Sequence, residues 1–475
     1  MNQSSTIQSQ NAAKSPIWEL LALAGPTVAQ MASYTVMQFI DTWMLAHVHG
    51  SVTEPTAAAN SGMISFAIIS FGVGVLFLIN TLVSQHYGAK EYRACGQYLW
   101  QGVWFSLFFA VLVLPALPFS QAIFHSLGHE PQLAKLESAY FQISIGLAIL
   151  KLGGTTLGNF LLAVNRPGLV LASAVVGVSA NALSAWILIF GNAGVPSMGV
   201  VGAAWAQGIG VGFELMTLIW FVSRPGITHT YHIADWRLQW VKLKVLLRLG
   251  LPSGLQLVSD VLAWSLFTMW VMAPFGTHAM AANTFMLRYM MVSFMPAIGL
   301  GTAVTALVGR YIGKGEPDMA RQRADLGFLV AAIYMVCCGL FFYLGRHWLM
   351  GMFTEEPDVR RMGAVLLIFA AFYQFFDALY LLYIGALRGA GDTFVPAVMT
   401  ALFCWTIAVG GGVLVAHYWP ALGVAGPWIM ATAYGITVGI FVFARFRSGA
   451  WRSIRLEDDP ASDKVDGLKV PLPVE

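Results

Sequence analysis

The chain has 475 residues, of which 57% are hydrophobic and only 10% charged, with a formal net charge of +3 and a mean hydropathy of +0.69. A soluble domain carries about 25% charged residues, so this sequence cannot cover a water-facing globule and is expected to lie in a membrane. Its basic residues sit in short loops between apolar runs, where they read as topology signals, and no nucleic-acid partner is expected.

Residues 1–16 are polar and predict a cytoplasmic N-terminus. No cleavable signal peptide is expected, because the first apolar run is too long for one. Runs of about 20 apolar residues suffice to cross a bilayer. They occur near 17–46, 57–84, 97–119, 133–163, 168–190 and 198–222, which predicts an N-lobe of six spans over 17–222. Residues 223–244 are polar enough to form a cytoplasmic linker between lobes. Six further runs, near 245–272, 279–307, 324–345, 362–386, 394–416 and 423–444, predict a C-lobe over 245–447. The remainder, 448–475, is charged and proline-containing and reads as a disordered cytoplasmic tail. The fold class is thus all-α integral membrane, twelve helices in two six-helix lobes.

The two lobes are copies of one unit. At an offset of 226, LALAGPTVAQ (21–30) falls on LRLGLPSGLQ (247–256), placing Pro26 on Pro252 and Gln30 on Gln256. At an offset of 225, VSQHYGAKEYRACGQ (83–97) falls on VGRYIGKGEPDMARQ (308–322), placing Gly88 on Gly313 and Lys90 on Gly315. Duplicated helix bundles are how many secondary transporters build a site that opens alternately to each side.

The distribution of Lys and Arg sets the expected orientation. With the N-terminus inside, every basic residue falls on the cytoplasmic side except Lys135, Arg346, Arg360 and Arg361 in outer loops and Lys151 and Arg288 within spans. Both termini are therefore expected in the cytoplasm, with the chain multi-pass in the cell (inner) membrane. Cys95, Cys337, Cys338 and Cys404 lie in or beside spans and predict no disulfide framework. His47, His49, His229 and His232 have spacings open to a metal, but interfacial solvation is the strongly favoured reading.

Ionisable groups inside a span cost about 2.5–3.5 kcal/mol each on insertion scales, so each needs a partner or a role. Asp41, Glu214, Asp260 and Asp377 are the acids, and Lys151 and Arg288 the bases. Pairing among themselves would make them structural. A cation relay would make them functional, because one carboxyl can exchange H⁺ or Na⁺ for a cationic substrate. Tyr373 lies four residues before Asp377 on the same helix face. With Asp260 facing them across two spans, these three would form a hard-oxygen set for Na⁺. The repeat sets Asp41 on Phe267, Asp260 on Tyr34 and Asp377 on Lys151, so the lobes are expected to share a fold but differ in charge chemistry.

These residues resemble the multidrug and toxic compound extrusion (MATE) family, most closely its bacterial NorM-like branch, over about 17–450. The resemblance rests on Pro26, Gln30, Asp41 and Thr42 in the first span, on the RLGLP start of span 7 with Asp260 eight residues after Pro252, and on YQFFDALYLLYIGALRGAGDT (373–393). It implies a V of two six-helix lobes and export of organic cations by antiport against Na⁺ or H⁺. It further implies coupling roles for Asp41, Asp260, Tyr373 and Asp377, with Asp260 in place of the family's more usual Glu. Asn181 matches the first polar position of the family's fifth-helix motif, whereas Ala185 departs from that motif and Gln207 stands where the sixth helix usually has Thr.

Gln30, Asn181, Glu214, Arg288, Met286, Met290 and Phe376 are candidates for lining the substrate cavity. Methionines suit a pocket that accepts many shapes, though ordinary helix packing explains the same stripe. The favoured expectation is a multidrug antiporter acting as a monomer, with no cofactor beyond the coupling ion. A flippase of lipid-linked sugars is the alternative, disfavoured because acids outnumber bases four to two within the spans. No zinc motif, nucleophile elbow or phosphate-binding glycine loop supports a membrane enzyme.

Overall fold

The computed structural model describes residues 15–47, 53–192 and 194–454. The polar N-terminus 1–14, His49 and the tail beyond 454 lie outside the described residues. The first half contains α1 (Pro16–His47), α2 (Thr53–Gly88), α3 (Tyr92–Val113), the short α4 (Ser120–Ser126), α5 (Pro131–Gly146), α6 (Ala148–Ala163), α7 (Pro167–Phe190) and α8 (Gly199–Val222). After the short α9 (Pro225–Tyr231), the second half contains α10 (Trp240–Leu266), α11 (Thr277–Gly313), α12 (Pro317–Gly351) and α13 (Pro357–Gly389). It ends with α14 (Phe394–Phe403), α15 (Gly412–Tyr418) and α16 (Ala425–Arg447). The wide-turned stretch Cys404–Gly411 joins α14 to α15.

Among the described residues eleven helices are long and apolar enough to cross a bilayer, taking α14 and α15 as one; α5 and α6, bent by 44° at Leu147, supply a twelfth span if taken together. The sequence reads 133–163 as one continuous span. Local chemistry starts the helices: Pro131, Pro167, Pro317 and Pro357 open α5, α7, α12 and α13, where a missing N–H is harmless.

The repeat is visible in the backbone. Lys90 (φ 64°) turns α2 into α3 as its mate Gly315 (φ 76°) turns α11 into α12. Asn165 (φ 64°) and Gly391 (φ 86°), 226 apart, do the same after α6 and α13. Both lobes thus need a left-handed residue at the same two corners, a conformation glycine and asparagine tolerate best.

The lobes meet along a reciprocal seam. A Cβ at Gly74 of α2 would lie 2.7 Å from Gly254 Cα of α10, and its repeat mate Gly299 of α11 sits equally tight, 2.9 Å, on Val28 of α1. Val28 and Gly254 are themselves repeat mates. Further along, Gly88 abuts the Arg310 carbonyl and Gly313 the Gln85 carbonyl, again a matched pair. Side chains reinforce the seam: Thr27 donates to Gly299 O (2.9 Å), Asn80 to Thr302 O (3.2 Å), Thr81 to Arg388 O (2.9 Å) and Gln85 to Gly389 O (2.9 Å).

A charged latch closes the same end. The Glu19 carboxylate accepts from Arg323 Nε (2.8 Å) and from Tyr311 OH (2.9 Å) across the lobes. These cross-lobe hydrogen bonds all lie on the half that carries the basic loops. The two lobes are therefore fastened to each other at the end bearing those loops.

The linker 223–244 is ordered: it contains α9, and α10 begins within it at Trp240. Trp100 donates to Ile233 O (2.7 Å) and Trp104 to Trp236 O (3.1 Å), fastening the linker along α3. The first tail residues, Ser448–Ile454, also fold back: Trp451 is buried and stacks on Phe446 at 5.1 Å. Amphipathic tryptophans supply the apolar contact that a count of polar residues overlooks.

Candidate functional site

Each lobe holds a polar cluster within its spans. In the N-lobe, Gln30, Tyr34 and Asp41 occupy one face of α1, at spacings of four and seven. Asp41 receives both hydrogen bonds from the amide of Asn181 on α7, at 2.9 and 3.1 Å. Asn181 is fully buried, so a carboxylate is held there by a donor that cannot leave. Tyr140 of α5 is an electrostatic neighbour of Asp41 and donates to Gln207 Oε1 (3.1 Å). Gln207 therefore takes part in the cluster, even though it departs from the family pattern.

Deeper in the lobe, Tyr34 OH donates to Glu214 Oε1 of α8. Gln30 Nε2 donates to the same phenol oxygen at 3.1 Å. Lys151, in the first turn of α6 after the bend, places Nζ 5.3 Å from the centre of the Tyr34 ring. Glu214 is thus partnered first by a phenol rather than by a base, and only Gln30 and Glu214 of this group were expected as site residues.

The C-lobe cluster is built on α10 and α13. Asp260 follows Gln256 by four residues, while Tyr373, Asp377 and Tyr380 follow each other by four and three on a buried face of α13. The structure brings them together: Tyr373 and Tyr380 each lie within electrostatic reach of both Asp260 and Asp377. Gln256 Nε2 donates to Tyr380 OH at 3.0 Å. Cys404, at the start of the wide-turned stretch, and Tyr434 of α16 border Asp260. Wide helical turns recur at functional sites because they redirect side chains and free backbone groups. Asp260 Oδ1 is buried with no hydrogen-bond partner, and an ionised carboxylate left so costs several kcal/mol unless a cation or proton meets it. Two carboxyls and phenol oxygens are a suitable donor set for a hard cation.

Arg288 is exposed and has no ion pair to any described acid, so it does not stand in for a cation near Asp260 and Asp377. Arg388 takes that place. It is an electrostatic neighbour of Asp260 and Tyr380, and its guanidinium lies 5.1 Å from the Phe77 ring of the other lobe. A signal for it was present, since Arg388 follows Asp377 by eleven residues on the same helix face. Cys404 and Tyr434 had no such signal, because only tertiary packing brings α16 and the wide turn to α10.

The methionine stripe is mostly packing. Met286 is fully buried in the C-lobe core with Phe267 and Trp428 and so does not line a cavity, while Met290 is partly buried against that core. Phe376 is half-buried with its ring edge-on to Phe375 at 5.3 Å. Its position leaves it near the cluster without a polar contact to it.

A duplicated bundle of membrane helices with polar clusters deep in both lobes is an architecture found among membrane transporters. A profile of the MatE family matches residues 26–187 and 256–414, and the chain belongs to that family. It is 29% identical over 451 residues to the "Probable multidrug resistance protein NorM" of Mesorhizobium japonicum, covering 93% of this chain and 95% of that protein. To the "Multidrug resistance protein MdtK" of Photorhabdus laumondii it is 26% identical over 441 residues, covering 90% and 94%. Its fold matches that of an outward-facing MATE transporter of the MOP superfamily with a TM-score of 0.85 at 19% identity, covering 93% and 98%. A MOP superfamily transporter from Pyrococcus furiosus gives 0.84 at 19% identity over the same shares.

Proposed function

We propose that the chain exports organic cations, drugs among them, by antiport against Na⁺ or H⁺ through alternating opening of the two lobes, with both termini in the cytoplasm. The observation that carries this reading is the C-lobe cluster: two carboxyls and three phenols gathered in a membrane span, with one Asp260 oxygen left unpartnered. Such a cluster requires a cation or a proton in each turnover. The names borne by the curated relatives point to drug substrates.

The oxygen set favours Na⁺ as the coupling ion, with Asp260, Tyr373 and Asp377 around it. Exchange of one Na⁺ for one monovalent drug cation moves no net charge, so the membrane potential adds nothing to it. A tenfold Na⁺ gradient then provides about 1.4 kcal/mol, enough for about tenfold drug accumulation. The test is efflux of an ethidium-like dye from energised vesicles, with Na⁺ and pH gradients imposed separately. Stimulation by the Na⁺ gradient alone supports the sodium assignment. Stimulation by the pH gradient alone, still dependent on Asp377, makes the site a proton relay. No dye movement under either gradient removes the exporter reading and returns attention to a lipid-linked substrate.

A further inference from the structure

Lys151 is an unusual occupant of the N-lobe. It is an ammonium in a membrane span, where such groups are costly and normally paired; among the described residues it has no hydrogen bond or direct ion pair, and the Glu214 carboxyl is its electrostatic neighbour. Its contact is with the face of the Tyr34 ring, 5.3 Å from Nζ to the centroid, within the range of a cation–π interaction. The side chain is exposed.

The ring beneath it is held rigidly. Tyr34 OH donates to Glu214 and accepts from Gln30, so the phenol is fixed at its polar end and its face is left to a cation. Donation to a carboxylate also enriches the ring in electron density, which strengthens that attraction. Glu214 is buried, and a Cβ added at Gly177 would lie only 2.9 Å from Glu214 Cβ, so this support has little room to shift. Space is available beside the lysine. Gly154, one turn from Lys151 on the same face of α6, has nothing within 4 Å of where a Cβ would lie, and the same is true of Gly146 just before the bend.

We propose that the Tyr34 ring, backed by Glu214, is a seat for the cationic head of a substrate, an alkylammonium or aromatic cation, and that the Lys151 ammonium is its tethered resting occupant. The incoming cation displaces Lys151, which swings on α6 into the open space. The repeat sharpens the idea: Tyr34 and Lys151 stand where the C-lobe has Asp260 and Asp377. The carboxyl pair thus serves the small coupling ion, and the ring-and-lysine pair serves the large organic one. This inference rests on the export of organic cations proposed above.

The test uses the full chain in lipid nanodiscs with ethidium and tetraphenylphosphonium as probes. Removing the tethered competitor with Lys151→Met tightens ethidium binding by about fivefold, the equivalent of one cation–π contact. Lys151→Arg, whose guanidinium stacks more firmly on a ring, leaves it no tighter than wild type, and Tyr34→Leu weakens it by a similar factor. In the unmutated protein, saturating tetraphenylphosphonium raises the rate at which an amine-reactive ester acylates Lys151 several-fold, read by peptide mass spectrometry. If wild type binds ethidium but Lys151→Met does not tighten it and Lys151 acylation stays flat or falls, the seat is wrong while the export reading stands. A wild type that binds neither probe overturns both.

Discussion

The two lobes differ least where they touch and most where they carry charge. Along the seam, Gly74 faces Gly254 as Gly299 faces Val28, and Gly88 faces Arg310 as Gly313 faces Gln85. A rocking motion between lobes needs closely fitted backbones on both sides, and duplication supplies this geometry without further specialisation. The polar clusters have diverged. In the N-lobe, Asp41 takes both hydrogen bonds of Asn181, Glu214 takes that of Tyr34, and Lys151 adds an internal cation. In the C-lobe an Asp260 oxygen has no partner and Arg388 is the nearby base. The N-lobe acids are thus met by hydrogen-bond donors, whereas one C-lobe carboxyl oxygen is left without one even with Arg388 nearby.

The strongest way to break this comparison is to neutralise one acid in each lobe. Asp260→Asn and Asp377→Asn are each expected to abolish ion-stimulated dye efflux, a loss of tenfold or more, roughly 1.4 kcal/mol or above. Asp41→Asn should reduce transport while leaving the stimulation ratio between ion-loaded and ion-free vesicles intact. If Asp41→Asn removes that ratio and Asp377→Asn does not, the assignment of coupling to the C-lobe is reversed.

A smaller effect tests the symmetry of the seam. Valine at Gly254 or at Gly299 overpacks an interface with backbone atoms 2.7–2.9 Å from the added Cβ, and each is expected to cost about 1–3 kcal/mol. Spin-label distances across the ends of the lobes bearing the basic loops should lengthen in both variants by a similar amount. A shift in one variant and not in the other would mean that the seam is not reciprocal in the working protein.

Smaller again is the latch. Glu19→Gln keeps the shape but weakens the charged hydrogen bonds to Arg323 and Tyr311. Because Glu19 is partly exposed, the loss is about 1 kcal/mol. The population open toward the basic loops should rise about fivefold, read by cysteine accessibility on that side. No change would mean that the glycine seam alone holds the lobes shut. The least effect is expected for Arg288→Gln: an exposed residue with no described ion pair should leave efflux within about twofold of wild type. A larger loss would restore Arg288 to the cavity.

Much of this architecture was already legible in the chain. Apolar runs of membrane length, basic residues confined to one set of loops and the 225–226 offset determined twelve spans, two lobes and the pairing of Lys90 with Gly315. Those features follow from the bilayer and from local backbone sterics, which act on each segment separately. The helix-face spacings that joined Tyr373 to Asp377 and Gln256 to Asp260 were equally local. Tertiary structure alone decided the rest: that Lys151 rests on Tyr34, that Glu214 binds a phenol, that Arg388 and not Arg288 neighbours Asp260, and that Met286 fills the core. The physical reason is that a buried charge or a methionine is defined by what other helices bring to it. Spacing along one helix fixes the face on which a side chain sits, but the partner on that face comes from segments more than a hundred residues away.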